Sequence, residues 1–432
     1  MKMTPIHPEH VIRMSQPRGG LKCRLAGTVA FAMLFLTSAQ ARTWTSADGT
    51  KTFEGELKSY DPATGMVGVT SPNGTLMKFN QDKLSEVDIF FLKGEGKVAP
   101  TTAAAPAASG GGALKALPEV LPDPDGKEAD MNKPVQVFIM MGQSNMVGMG
   151  SVSTLEGAVK KGLYPYLVDE AGKWIERKDV RCAMVTCDQQ TGWLQPGFGA
   201  KDNIGPELGF GNIVGHAIDA PVLLVKACIG NRSLGWDLLP PGSERFEEGG
   251  TMYAGYKDPQ DKWPKGTEPS GSGWYAGKQY DDDTANAKAA LSDLATNYPG
   301  AKKYEVAGFV FWQGEKDGGN AVHASYYEKN LVRFIKQLRK DFAAPNAKFV
   351  LATLGESTKG GKGNGGMILD AQLAVDGKDG KHPEFKGNVA TVYANPLSKG
   401  GSGNSHYGGN AETYMEVGEA MGKAMVDLLK SK

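Results

Sequence analysis

The 432-residue chain has no excess of charge of either sign, since 48 lysine and arginine residues balance 48 aspartate and glutamate residues. That balance, with no Lys/Arg-rich block, removes the electrostatic footprint of a nucleic-acid binder. Long hydrophobic runs are missing too. The apolar run Leu25 to Leu36 has 12 residues, short of the ~20 that cross a bilayer as a helix, which excludes a polytopic membrane protein. Cysteine is scarce, at 4 residues, with no C-x-x-C pair and no His/Cys cluster, so no structural zinc or other metal is expected. Glycine is what the chain has in plenty: 58 residues, about twice average usage. Much of the chain is turns.

Arg13, Arg18, Lys22 and Arg24 precede the apolar run, and Ser38-Ala39-Gln40-Ala41 closes it with small residues. This is the pattern of a secretory signal peptide over residues 1–41, which predicts a secreted or periplasmic protein with no membrane association after cleavage. Cys23 lies before the run and so cannot be a lipoprotein cysteine. Cleavage removes five basic residues and one acidic residue, leaving 43 against 47, a mildly acidic chain. In an oxidising compartment Cys182 and Cys187 could close a small disulfide loop, whereas Cys228, at the end of an apolar run, reads as an inert buried thiol.

Turn signals at Asp48-Gly49, Asp61-Pro62, Thr64-Gly65 and Asn73-Gly74 punctuate residues 42–95, which predicts a small all-β unit of hairpins. Its segments Arg42-Thr43-Trp44, Phe53 to Leu57 and Leu84 to Asp88 resemble the SH3-like barrel of the Sla homology type. That resemblance implies an accessory module that binds a protein or a glycan. Residues 96–133 contain an Ala/Pro/Gly-rich stretch and read as a flexible linker.

From residue 134 to 432 the texture changes. Apolar, β-rich runs occur at Val135 to Met141, Pro221 to Ala227, Val306 to Trp312, Lys348 to Leu354 and Asn388 to Ala394. Between and after them, Tyr327, Leu331, Phe334, Leu338 and Phe342 share one helical face, as do Ala411, Tyr414, Val417, Met421, Met425 and Leu428. The alternation predicts an α/β fold, a three-layer α/β/α sandwich on a five-stranded parallel sheet. In such sheets ligands gather at the carboxyl ends of the strands, and the first run ends in Gly142-Gln143-Ser144-Asn145-Met146.

That string resembles the nucleophile block of the SGNH hydrolases, in the branch of the sialate O-acetylesterase-like enzymes and family 6 carbohydrate esterases. Gly205-Pro206-Glu207, Gly230-Asn231-Arg232-Ser233, Trp312-Gln313-Gly314-Glu315 with Asp317, and Ser405-His406-Tyr407 follow in the branch's order. The resemblance spans residues 135 to 430. It implies an acetylesterase acting on an acetylated glycan through an acetyl-serine, with no cofactor. Ser144 would be the nucleophile and His406 its base, because a serine hydroxyl needs a proton acceptor near neutrality. Of the other histidines, His216 lies on a helix-like stretch, His323 in a loop and His382 before Pro383, none in a comparable motif.

The third member departs from the pattern. Much of the superfamily carries an aspartate three residues before the histidine, where this chain has Gly403. The role then falls to another carboxylate, to a backbone carbonyl or to no group; the resemblance points to Glu315, whose other reading is to orient its loop through hydrogen bonds, with Asp317 as second choice. For the oxyanion it implies the Ser144 and Gly230 N–H groups and the Gln313 side chain, since Lys316 stands at the usual asparagine. Asn145, Arg232 and Tyr407 are candidates for substrate contact, and Trp193, Trp236, Trp274, Tyr275 and Tyr407 for stacking on a sugar. Asp281-Asp282-Asp283 reads as a solvated helix start, and Gly355 to Gly366 as a rim or an inert loop. The competing expectation is a catalytically weakened carbohydrate-binding or scaffolding protein, motivated by Gly403 and Lys316.

Overall fold

The computed structural model describes residues 42–47, 51–61, 65–85, 88–89, 92, 114–271 and 273–431. The expected signal peptide and residues 96–113 of the expected linker lie outside the described residues, whereas the rest of that expected linker, 114–133, sets Leu114, Leu117 and Leu121 against the apolar core instead of running free. Two compact units divide the chain at residue 103.

In the first unit, β1 (Arg42–Thr45), β2 (Thr52–Asp61), β3 (Met66–Thr70) and β4 (Leu76–Asn80) form an antiparallel sheet in that order. Its core is Trp44 with Val67, Val69 and Leu84, and the indole N–H donates to the Gly55 carbonyl at 3.0 Å. The likeness to SH3 modules read from the sequence goes beyond this observed antiparallel sheet.

The second unit is built on a seven-stranded sheet, in the order β14-β13-β12-β5-β8-β6-β7. Its strands are β5 (Val135–Gly142), β6 (Arg177–Met184), β7 (Gln190–Leu194), β8 (Val222–Lys226), β12 (Tyr304–Trp312), β13 (Lys348–Ala352) and β14 (Val389–Val392). All neighbouring pairs are parallel except β6 and β7, which are antiparallel. The sheet is thus mixed and larger than the five parallel strands expected. All five apolar runs are strands. The two additional ones escape the pattern because β6 opens on Arg177-Lys178-Asp179 and β7 is a half-buried edge strand.

Strand β5 shows why both faces must be covered. Val135, Val137, Ile139 and Met141 point into one core and Phe138 and Met140 into the other, and all eight positions are buried, as in a strand with helices on both sides. On the first face lie α3 (Lys278–Ser292), α4 (Ala321–Asp341) and α5 (Gly363–Ala374). The second is covered by α2 (Pro206–Ala217) and α6 (Ala411–Lys430). The one-sided stripes Tyr327 to Leu338 on α4 and Ala411 to Leu428 on α6 are buried. Between β8 and α3 the chain forms a small antiparallel sheet of β9 (Phe246–Glu248), β10 (Thr251–Tyr253) and β11 (Lys262–Pro264).

Some local expectations are corrected. Cys182, Cys187 and Cys228 are all free thiols, and Cys182 is locked in the core of β6 instead of meeting Cys187. Asp283 is fully buried, not solvated; it accepts from Thr186 and Gln279, and burial pushes its carboxyl up to about 8. Gly355 to Gly366 is partly helical, because α5 begins at Gly363. Among the described residues no helix is long and apolar enough to cross a membrane.

Candidate active site

Ser144 opens a short helix, α1 (Ser144–Val147), directly after β5. The sharp exit from the strand depends on Gly142: its φ is +150°, and a Cβ there would run into the Trp312 carbonyl oxygen. Only glycine fits such an approach. The residues flanking Ser144 are pinned from below. Gln143 Nε2 donates to Glu315 Oε2 at 2.5 Å, and Asn145 Nδ2 to Glu315 Oε1 at 2.5 Å and to the Gly403 carbonyl at 3.1 Å. Asn145 Oδ1 in turn accepts from Tyr414 at 2.9 Å. Further back, buried Lys226 donates to the Val147 carbonyl and Glu207, tying α1 to the end of β8 and the start of α2.

His406 arrives from the segment after β14. It, Tyr407 and Gly408 have φ of +53°, +53° and +59°, a left-handed kink that L residues adopt only when their surroundings over-determine it. Tyr407 supplies that constraint. Its buried ring stacks on Trp312 at 5.8 Å between centroids. The result sets His406 Nε2 at 2.9 Å from Ser144 Oγ, within reach for a hydroxyl to pass its proton to imidazole.

The other expected roles find different placements. Glu315, 6% exposed, spends both carboxylate oxygens on Gln143 and Asn145 and makes no hydrogen bond to His406. Burial, reinforced by the nearby Glu356 carboxylate, pushes it up to about 7. Asp317 accepts from the Leu234 and Gly235 N–H groups, each at 2.8 Å, and from Gln313. It fixes the loop after Gly230, away from the imidazole. Gln313 is equally committed. Its amide donates to the Arg232 carbonyl and to Asp317, and its oxygen accepts from Tyr327, so the buried side chain has no N–H left for an oxyanion. Gly230 does flank the serine: a Cβ built on it would lie 3.5 Å from Ser144 Cβ.

An open cleft of about 960 Å³ lies over Ser144 and His406. Asn145, Arg232 and Tyr407 do not line it. Asn145 and Tyr407 are buried beneath, and Arg232 turns outward to Gln279 and over the Trp274 ring. Of the candidate stacking aromatics Trp236 lines the cleft, while Trp193 packs against Tyr298. Sequence reasoning missed Asn231, Glu356 and His323, all on the cleft wall. Asn231 sits inside the Gly230 turn, and Glu356 among the polar residues just past a strand end, so position alone could have flagged both. His323 is on α4 instead of in a loop, and bonds Asp261 at 2.9 Å. Burial disfavours its charge, but Asp261 outweighs burial and raises it above the usual imidazole range.

A search of curated protein sequences gives no match. Among solved structures, the chain is similar to a protein from Arabidopsis thaliana (19% identity, 69% of this chain and 100% of that one, TM-score 0.42). It is also similar to a carbohydrate acetylesterase from Xanthomonas citri (10%, 88% and 64%, 0.40) and to NanS (15%, 55% and 70%, 0.28). Scores this low carry no argument about the site. The sequence itself does: residues 134–427 match the model of the carbohydrate esterases described as sialic acid-specific acetylesterases, and with every residue of the cleft inside that span, the chain belongs to this family.

Proposed function

We propose that the chain is a serine esterase, exported from the cytoplasm, that removes O-acetyl groups from carbohydrate. The observation that carries this reading is the Ser144 to His406 contact of 2.9 Å at the floor of an open cleft. Ser144 Oγ attacks the acetyl carbonyl as His406 Nε2 takes its proton. The tetrahedral adduct expels the sugar oxygen, which receives that proton, and leaves acetyl-Ser144. Water then attacks with His406 again as base, and acetate departs from the restored serine. Oxyanion donors come from the backbone of Ser144 and Gly230, with the Asn231 side chain in place of the committed Gln313.

The cleft favours an uncharged acetylated sugar. Its wall carries Asp237, Asp261 and Glu356, with Glu315 at its base, against Lys316 and against His323, which is already paired with Asp261, while Arg232 faces elsewhere. A sugar carboxylate would meet mostly like charge. The test is hydrolysis of 4-nitrophenyl acetate and a panel of acetylated neutral and sialylated glycans, beside Ser144→Ala. Turnover lost in the variant supports the esterase, and a preference for sialylated substrates would sink the reading of the cleft.

A second reading, a weakened glycan-binding protein, rests on one observation. His406 Nδ1 has no hydrogen-bond partner among the described residues, and an unheld imidazole is a poorer base. Equal inertness of both proteins, with glycan binding retained, would favour it.

A further inference from the structure

We propose that Glu356, which makes no hydrogen bond to His406 in this structure, is its positioning residue: a turn of the exposed side chain brings the free carboxylate oxygen to the Nδ1–H and so replaces the aspartate that position 403 lacks. This rests on the reading of Ser144 and His406 as nucleophile and base. In a triad with an aspartate three residues before the histidine, the carboxylate hangs from that residue's Cβ. Here a Cβ on Gly403 would lie 2.7 Å from Glu315 Oε1 and 2.9 Å from Glu356 Oε2. By standard bond lengths an aspartate's own oxygens lie about 2.4 Å from its Cβ. Two glutamate oxygens therefore already fill the shell that an aspartate at 403 would occupy, and this explains why the position is glycine.

Which glutamate does the work follows from their other bonds. Glu315 has both oxygens engaged, by Asn145 and Gln143. Glu356 accepts one hydrogen bond, from the Gly403 N–H to Oε2 at 3.1 Å, which leaves Oε1 free. It is exposed, lines the cleft together with His406, and is held against the backbone three residues before that histidine. It arrives from the loop just past β13, a different strand end from the one that carries the histidine. The requirement it meets is definite. With Nε2 facing the serine hydroxyl as acceptor, the proton of neutral imidazole must sit on Nδ1, and an acceptor there holds that tautomer.

The decisive comparison is Glu356→Gln against Glu356→Ala in the purified protein. Glutamine keeps the Gly403 bond through its amide oxygen, which turns its NH₂ toward Nδ1 and favours the wrong tautomer. Alanine loses the Gly403 bond but admits water as an acceptor. We expect Glu356→Gln to lower kcat for 4-nitrophenyl acetate about 10²- to 10³-fold with KM within about twofold, less than the ~10⁴-fold for a buried triad aspartate because the site is solvated. Glu356→Ala should fall less far. A residue that merely braces the Gly403 turn predicts the reverse order.

Ring ¹⁵N shifts of His406, assigned by the signal lost in His406→Gln, give a readout that needs no turnover. The Nδ1–H form should dominate in the unsubstituted protein and give way to Nε2–H in Glu356→Gln. A tautomer unchanged by Glu356→Gln overturns the proposal. A tautomer that switches in a protein without Ser144-dependent turnover upholds the role of Glu356 and sinks the esterase reading instead.

Discussion

The two halves of the serine–histidine pair are held in opposite ways. On the serine side, Gln143 and Asn145 are buried and bonded to one carboxyl, and the strand turns through a glycine that no other residue can replace. On the histidine side, the chain from Gly401 to Gly409 is largely exposed and carries four successive residues of positive φ, His406 to Gly409, with Tyr407 as its anchor in the core. One side is held by buried hydrogen bonds gathered on Glu315, with Gln143 Oε1 left without a partner among the described residues. The other owes its shape to one aromatic ring and a strained kink. A site built this way separates its tolerances: the serine side should fail as a fold, the histidine side as a chemical device.

The widest gap between the halves should come from His406→Ala. It removes the base while leaving the exposed kink free to relax, so kcat should fall about 10⁴- to 10⁶-fold with the melting temperature almost unchanged. Simultaneous calorimetry and turnover would show this, and a large thermal shift would break the contrast. Gly142→Ala should do the converse. Its Cβ meets the Trp312 carbonyl at a φ of +150°, so the loss in urea denaturation should reach at least about 3 kcal/mol.

The pH dependence of stability sharpens the picture of the buried side. Glu315 has its folded pKa raised to about 7 by burial, above its unfolded value. Its contribution to stability is therefore complete in acid and is lost as pH climbs from the ordinary carboxyl range through 7. Relative to Glu315→Gln, the unsubstituted protein should lose about 2 to 3 kcal/mol between pH 5 and pH 8. A gap that does not change with pH would show that the carboxyl is not strained by its burial. Smallest of all should be Gly408→Ala, on the histidine side. Its φ of +59° costs an L residue about 1 kcal/mol, a fraction of the Gly142 effect, and equal losses at the two glycines would erase the asymmetry.

The same asymmetry governed what could be read from the chain. Continuous apolar runs announced the central strands, a local pattern with a local cause, whereas the Gly142 to Met146 string pointed to Ser144 only through its resemblance to a family block. Strand β6 escaped because its opening Arg177-Lys178-Asp179 is charged, and those charges are paired within the segment itself, Arg177 with Asp179 at 2.6 Å and Lys178 with Glu176 at 2.7 Å. Gln313 and Asn145 were misplaced for a related reason. Their residue types suit an oxyanion or a sugar hydroxyl, but Asp317, Tyr327 and Glu315 reach them first. Glu356 stands just past an apolar run, where α/β sheets collect their polar groups. What drew no attention to it was the missing partner at 403, an absence that acquires meaning only when the space around that glycine is measured.

The contact between Ser144 and His406 joins positions 262 residues apart. No fragment that ends before His406 contains both, and every strand of the large sheet is made before the histidine appears. A chain still being synthesised thus carries Ser144 without His406. The serine and histidine can therefore meet only once the chain has been made through His406, and because α6 covers one face of the large sheet, a truncation that removes the histidine removes that packing with it.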